Sequence, residues 1–270
     1  MKTLDEFWRD PAMPYIESRR ACHSRACYRP HSHPTFSIGL IDAGNSVFTG
    51  APQGPVALRP GSLVLVPPAR VHACNSDRAS TWSYQMLHLD AHWLRTIGQP
   101  ALPSPDHLAE MPIRIVHDSC LYDSFCRLNG LLFSKASVHD KETALIEFIA
   151  DCNHATGQQI DLPLNADACR KKLQPVMDAL CQEGTPMADL AELAHRAGMS
   201  RYQMIRVFRA ATGLTPYAWQ LNQRINQARE QLQAGANLAD VAYRLGFADQ
   251  SHFQRLFKAH AGVTPGRYRA

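Results

Sequence analysis

The last hundred residues of the chain nearly repeat themselves, and that repeat restricts the fold more than any other feature. Leu190-Ala191-Glu192-Leu193-Ala194-His195-Arg196-Ala197-Gly198 matches Leu238-Ala239-Asp240-Val241-Ala242-Tyr243-Arg244-Leu245-Gly246 at an offset of 48. After the glycine the second copy carries one extra residue. Met204, Val207, Phe208, Gly213, Thr215 and Pro216 then match Phe253, Leu256, Phe257, Gly262, Thr264 and Pro265 at an offset of 49. Two copies of one supersecondary unit are expected.

Each copy reads as a short helix with a small residue, Ala194 or Ala242, where a second helix must pass close. Gly198 or Gly246 follows, where a left-handed backbone is easiest. A polar N-cap, Ser200 or Asp249, then opens a second helix whose apolar stripe is Met204, Val207 and Phe208, or Phe253, Leu256 and Phe257. This is the layout of a helix-turn-helix. A solvated helical face with structural glycines accounts for one such copy, but poorly for two in register.

The stripes leave Arg201, Tyr202, Ile205, Arg206 and Arg209 facing outward in the first copy, and Gln250, Ser251, Gln254, Arg255 and Lys258 in the second. Arg and Gln suit bidentate readout of guanine and adenine in the major groove, and Lys and further Arg suit phosphates. Between the copies, Thr215 caps and Pro216 starts a helix with Ala218, Leu221, Ile225, Ala228 and Leu232 at steps of three and four, ending near Gly235. About 18 residues at 1.5 Å each give a bridge of roughly 27 Å, not far from the approximately 34 Å between successive major-groove faces. Charge agrees: residues 170 to 270 hold 14 Lys and Arg against 7 Asp and Glu, leaving 14 against 17 for the rest. The basic excess points to an anionic partner, most simply duplex DNA.

The chain has 270 residues, 45% of them hydrophobic and 19% charged. That is enough for two domains and excludes collagen-like and disordered classes. No apolar run approaches the roughly 20 residues of a membrane span. The acidic start, with Asp5, Glu6 and Asp10, lacks the pattern of a secretory signal, so a cytoplasmic protein is expected. Cys22, Cys27, Cys74, Cys120, Cys126, Cys152, Cys169 and Cys181 form no CxxC pair and are expected as reduced thiols.

Short strands separated by turn residues are expected between residues 20 and 90: Thr35 to Ile41, Ser46 to Thr49, Val56 to Leu58, Ser62 to Val66 and Trp82 to Leu89. From Ser119 the period becomes helical. Leu121, Phe125, Leu128, Leu131 and Leu132 form one stripe, and Ala144, Leu145, Phe148, Ile149 and Cys152 another. Packing against the strands and a dimer seam explain these stripes equally well. Ala155 to Asn165 reads as a linker. Three segments result: 1–115 a strand domain, 116–165 amphipathic helices for dimerisation and the linker, and 166–270 the repeated helices.

Residues 170 to 270 resemble the DNA-binding domain of the AraC/XylS family of bacterial transcription regulators. The match rests on Ala239-Asp240-Val241-Ala242 through Gly246-Phe247, Ser251-His252-Phe253 through Phe257-Lys258, Gly262-Val263-Thr264-Pro265 and Tyr268-Arg269. The resemblance implies base contacts from Tyr202, Arg206, Ser251, Gln254 and Arg255. It implies backbone contacts from Ser200, Arg201, Gln203, Arg209, Gln250, His252 and Lys258. It also implies an α+β chain with an amino-terminal cupin-like β-barrel that receives a small-molecule effector, a homodimer, contact with RNA polymerase and no required cofactor.

The amino-terminal half fits that implication. His31-Ser32-His33, then Gly44, resembles the first cupin motif, and Gly61, with Pro67, His72 and Asn75 beyond it, resembles the second. Tyr28, His31, His33, Phe36, His72, Tyr84 and His88 are the candidate lining of an organic-effector pocket. His31, His33 and His72 also match the histidines of metal-binding cupins, although Ser37 stands where a glutamate belongs. Competing readings are a metal- or redox-responsive regulator using these histidines or Cys74, and a metal-dependent cupin enzyme fused to a DNA-binding tail. No acid-base pair or nucleophile constellation in residues 1 to 115 favours an enzyme.

Overall fold

A computed structural model describes residues 4–51, 53–77, 80–97, 111–161, 166–181 and 189–269. The chain divides into two units. The first holds Met1–Arg25, His33–Arg70 and Cys74–Asp161; the second holds Ala26–Ser32, Val71–Ala73 and Leu162–Ala270.

The first unit is built from β1 (Leu4–Trp8), β2 (Ile16–Ser24), β3 (Phe36–Ala43), β4 (Ser46–Thr49), β5 (Val56–Leu58), β6 (Ser62–Val66), β7 (Ala73–Ser76), β8 (Trp82–Leu89), α1 (Ala91–Thr96), β9 (Ile113–His117), α2 (Ser119–Leu132), α3 (Val138–His154) and β10 (Gln158–Ile160). Four of the five strands expected from sequence have these bounds, and the fifth runs Phe36–Ala43 rather than Thr35 to Ile41. The strands form a seven-stranded sheet in the order β1-β2-β8-β3-β6-β9-β10 and a three-stranded sheet in the order β5-β4-β7. The described strands thus make two sheets, not one closed barrel. Strand β10 lies in the stretch read as a linker: Ile160 is buried and its strand pairs with β9. Residues 162–165 of that stretch lie outside the described residues.

Alternation along the strands separates the large sheet into two chemically different faces. Phe36, Ile38 and Leu40 of β3, Leu63 and Leu65 of β6, and Leu87 and Leu89 of β8 share one apolar cluster with Leu121, Phe125, Leu128 and Leu132 of α2 and Leu145, Phe148 and Ile149 of α3. Phe125 and Phe148 meet edge to face at 5.3 Å. Most of the two helical stripes therefore pack on the sheet inside this unit. The opposite face carries Ser37, Gly39, Met86 and His88, in rows where Ser37 pairs with His88 and Gly39 with Met86. Gly39 gives Met86 its room: a Cβ there would stand 2.8 Å from the Met86 sulfur.

The second unit contains α4 (Ala166–Cys181), α5 (Leu190–Arg196), α6 (Arg201–Thr212), α7 (Pro216–Gln233), α8 (Leu238–Arg244), α9 (Gln250–Ala261) and α10 (Pro265–Arg269). Leu173, Val176 and Leu180 of α4 pack with Leu193, Met204, Phe208 and Trp219. Among the described residues, no helix is long and apolar enough to cross a membrane.

Candidate functional site

The repeat in the sequence becomes a repeat in three dimensions. Helices α5 and α8 each have 7 residues, and α6 and α9 each have 12. Asp189 and Asn237 cap the first helix of each pair, and Ser200 and Asp249 cap the second through side-chain bonds from Gln203 N and His252 N. The turn glycines Gly198 and Gly246 have φ of 62° and 69°, and the terminal glycines Gly213 and Gly262 have φ of 80° and 75°. Met204 and Phe208 in α6, and Phe253 and Phe257 in α9, are fully buried. The 18-residue bridge α7 starts at Pro216 behind the Thr215 cap, as its sequence predicts.

With the stripes buried, the candidate base readers stand on the free faces. Tyr202 is 72% exposed, and Arg206, Ser251 and Arg255 are exposed; Gln254 is half-buried. Of the candidate backbone contacts, Arg201, Arg209, Gln250 and Lys258 are exposed. Ser200 and Gln203 close a capping box, each side chain bonded to the other's backbone N–H, so they also fix the start of α6. His252 is half-buried, its Nδ1 accepting a 3.4 Å bond from Ala248 N. Arg224 in α7 is buried and donates to the Gly246 carbonyl at 3.3 Å, tying the bridge to the second turn.

In the first unit the polar groups collect on the sheet face away from the helices. His33 Nδ1 donates to the Thr35 carbonyl at 3.1 Å and lies 3.2 Å from the Ser37 hydroxyl. That hydroxyl is 2.7 Å from His88 Nδ1, and the two imidazoles meet edge to face at 5.0 Å. The Ser37 hydroxyl, with one proton to give and lone pairs to accept, thus bridges the two imidazoles. Tyr84 lies on the same face as His88, four positions back along β8, beside Trp82 at 4.2 Å. Arg19 points there too, paired with Asp5 at 2.8 Å and set over the Phe7 and Tyr84 rings.

The other candidate pocket residues are distributed differently. Phe36 sits on the opposite face, in the apolar cluster under α2 and α3. It helps line a cleft there of about 330 Å³ including its open mouth, with Ile38, Leu65, Ile149, Cys152 and Arg114. Tyr28, His31 and His72 belong to the second unit, whereas His33 belongs to the first. His31 and His72 pair through backbone bonds of 3.0 and 2.9 Å with their rings 4.8 Å apart. Burial, then the neighbouring His72, holds the His31 imidazole well below its ordinary value. Its Nδ1 donates to the Arg29 carbonyl at 2.8 Å. Where the metal-binding cupin pattern places a carboxylate, Ser37 holds His33 and His88. Burial pushes the Cys74 thiol up to about 12, the reverse of what a reactive thiolate needs.

The sequence reading passed over three kinds of residue. Ser37 entered only as a missing ligand, yet it joins two histidines. Arg70 and Arg114 serve as struts: Arg70 donates to the carbonyls of Met111 and Ile160, and Arg114 to those of Ala155 and Cys152. Asn222 and Asn226 sit in the bridge and bond to Ser32, far away in sequence. Asn222 had a visible signal, a small amide beside the apolar stripe positions Leu221 and Ile225.

Comparison with known proteins agrees with this architecture. The AraC-like ligand binding domain matches residues 13–147, half of the chain, and a helix-turn-helix domain matches residues 193–270. The chain is 26% identical over 246 residues to the uncharacterized HTH-type transcriptional regulator YbfI of Bacillus subtilis strain 168, covering 90% of this chain and 87% of that protein. It is 27% identical over 255 residues to the arabinose operon regulatory protein of Salmonella typhimurium, covering 90% and 86%. Among solved structures, ToxT from Vibrio cholerae with a bound unsaturated fatty acid is similar in fold, with a TM-score of 0.55 at 14% identity over 99% of this chain and 94% of that one. The chain belongs to the AraC family: it is a helix-turn-helix transcriptional regulator with an amino-terminal ligand-binding domain.

Proposed function

We propose that this regulator reads an asymmetric DNA site with Tyr202 and Arg206 on one half and Ser251, Gln254 and Arg255 on the other. Ser200, Arg201, Gln203, Arg209, Gln250, His252 and Lys258 hold the backbone. The observation that carries this reading is the paired free face of α6 and α9, each exposing an arginine while Met204 and Phe208, or Phe253 and Phe257, are fully buried on the other side. The effector sits at His33, Tyr84 and His88, with Ser37 joining the two imidazoles, and acts through its differential affinity for two states of the protein. A group of buried donors and acceptors on one sheet face suits a small polar molecule.

A second reading seats an apolar acid in the cleft beside Phe36, with Arg114 as its cation; the apolar lining and the fatty acid bound to the ToxT fold favour it. The same proposal has the protein acting in the cytoplasm as a homodimer that contacts RNA polymerase, without a catalytic role of its own.

The test is selection of duplexes from a random pool by the full-length chain, followed by titration of Arg206→Ala and Arg255→Ala. Each variant should relax preference at its own half-site by about 1–3 kcal/mol per lost bidentate contact. Equal loss on selected and random DNA would remove both residues from base reading.

A further inference from the structure

We propose that Asn222 and Asn226 are positioning residues for DNA binding, which set the spacing of the two recognition helices by gripping Ser32. The proposal rests on DNA binding by this unit and not on which side chains read the bases.

Within the second unit, the short pieces 26–32 and 71–73 lie against the helices, joined to each other by the His31–His72 backbone pair. The Asn222 side chain, 1% exposed, treats Ser32 as one strand treats another. Its Oδ1 accepts from Ser32 N at 3.1 Å, and its Nδ2 donates to Ser32 O at 3.0 Å and to the Ser32 hydroxyl at 3.1 Å. One turn later, Asn226 Nδ2 donates to the same carbonyl at 2.9 Å. A buried amide with all these bonds made is costly to separate from its partner, because separation leaves donors and acceptors without water.

The same two pieces also touch the end of each recognition helix. Arg29 N donates to Ala259 O at 3.0 Å in the last turn of α9. Tyr28 crosses the terminal glycine of α9 so closely that a Cβ on Gly262 would stand 2.5 Å from its hydroxyl. Val71 crosses the matching glycine of α6, where a Cβ on Gly213 would stand 3.0 Å from the valine Cβ. The strap therefore reaches both recognition helices and the bridge between them, at the ends away from Arg201, Tyr202, Gln250 and Ser251. It leaves the reading faces open and fixes their separation. Ser32 is joined by a peptide bond to His33 of the ligand-binding unit, so a change at that histidine has a covalent route to the grip.

The experiment uses the full-length chain, Asn222→Ala/Asn226→Ala, and the duplex selected by the unaltered protein. A second duplex has one half-site randomised, and a third has one base pair inserted between the half-sites. The variant should lose about tenfold affinity for the intact site, keep its affinity for the single half-site, and discriminate less against the insertion. Ser32→Ala, which keeps both backbone bonds, should behave like the unaltered chain. Asn226→Ala, at a half-buried position, and Tyr28→Ala, outside the helices, keep the test open if the buried Asn222 change prevents folding. Equal loss on intact and single sites, or an unchanged spacing preference, overturns the proposal.

Discussion

The Ser37 hydroxyl stands 2.7 Å from His88 Nδ1 across the β3–β8 pair, on a sheet face whose reverse side is the apolar core under α2 and α3. Ser37 has no exposed surface, so its removal takes this partner from the His88 nitrogen. Ser37→Ala should cost about 1–3 kcal/mol, the usual penalty for one buried partner lost. The midpoint of urea unfolding reads this directly, and a midpoint unchanged with an unchanged slope would mean that the bridge contributes nothing.

Gly198 and Gly246 carry the same left-handed backbone at equivalent places in the two repeats. Alanine at either position should cost about 1–2 kcal/mol from the positive φ alone. At Gly198 a Cβ would meet open space, so strain is the whole effect; at Gly246 the Cβ would also stand 3.4 Å from the Arg224 guanidinium. Thermal melting of Gly198→Ala and Gly246→Ala should show the second to be at least as destabilised as the first. A larger loss at Gly198 would contradict this ranking.

The helix-turn-helix half was legible because its signals are local and occur twice. Caps, glycines and the 3.6-residue stripe each state the same structure, and the copies check one another. The strands flanked by Asp42-Ala43-Gly44 or Pro60-Gly61 were legible for the same reason. What escaped was non-local. Phe36 and Ser37 are adjacent in sequence and face opposite sides of the sheet, and nothing in the sequence says which side faces the helices. The Ser32–Asn222 bond joins residues 190 positions apart, and the Tyr28 ring closes over Gly262 from still farther along the chain. Strand β10 reads as linker in the sequence because three residues carry too little pattern to distinguish an edge strand from a loop.

Lys258 lies on the exposed side of α9, one turn from Arg255. As a phosphate contact it should add to affinity without choosing sequence. Lys258→Ala should therefore weaken selected and random duplexes alike and reduce the slope of log affinity against log salt by about 1. Gel shift across a salt series makes the measurement. Loss confined to the selected duplex would instead make Lys258 a base reader.

His260 supplies a pH dependence with a defined sign. The ring is 3% exposed and its Nδ1 donates to the Leu256 carbonyl at 2.8 Å. Burial first, and then the nearby Arg229 and Arg29, hold it below its ordinary value of 6.5. In the folded chain the imidazole thus stays neutral at a pH where the unfolded chain already binds a proton. Its effect on stability is nil well above pH 6.5, and stability is lost as pH falls from there toward the lower folded value. His260→Gln removes this titration while keeping a hydrogen-bond donor. Melting of both proteins at pH 7.5, 6.5 and 5.5 should show the unaltered chain losing more on acidification than the variant. The comparison isolates His260, because every other histidine is common to both proteins. Parallel curves would mean that position 260 binds its proton equally in the folded and unfolded chain, and would overturn this assignment.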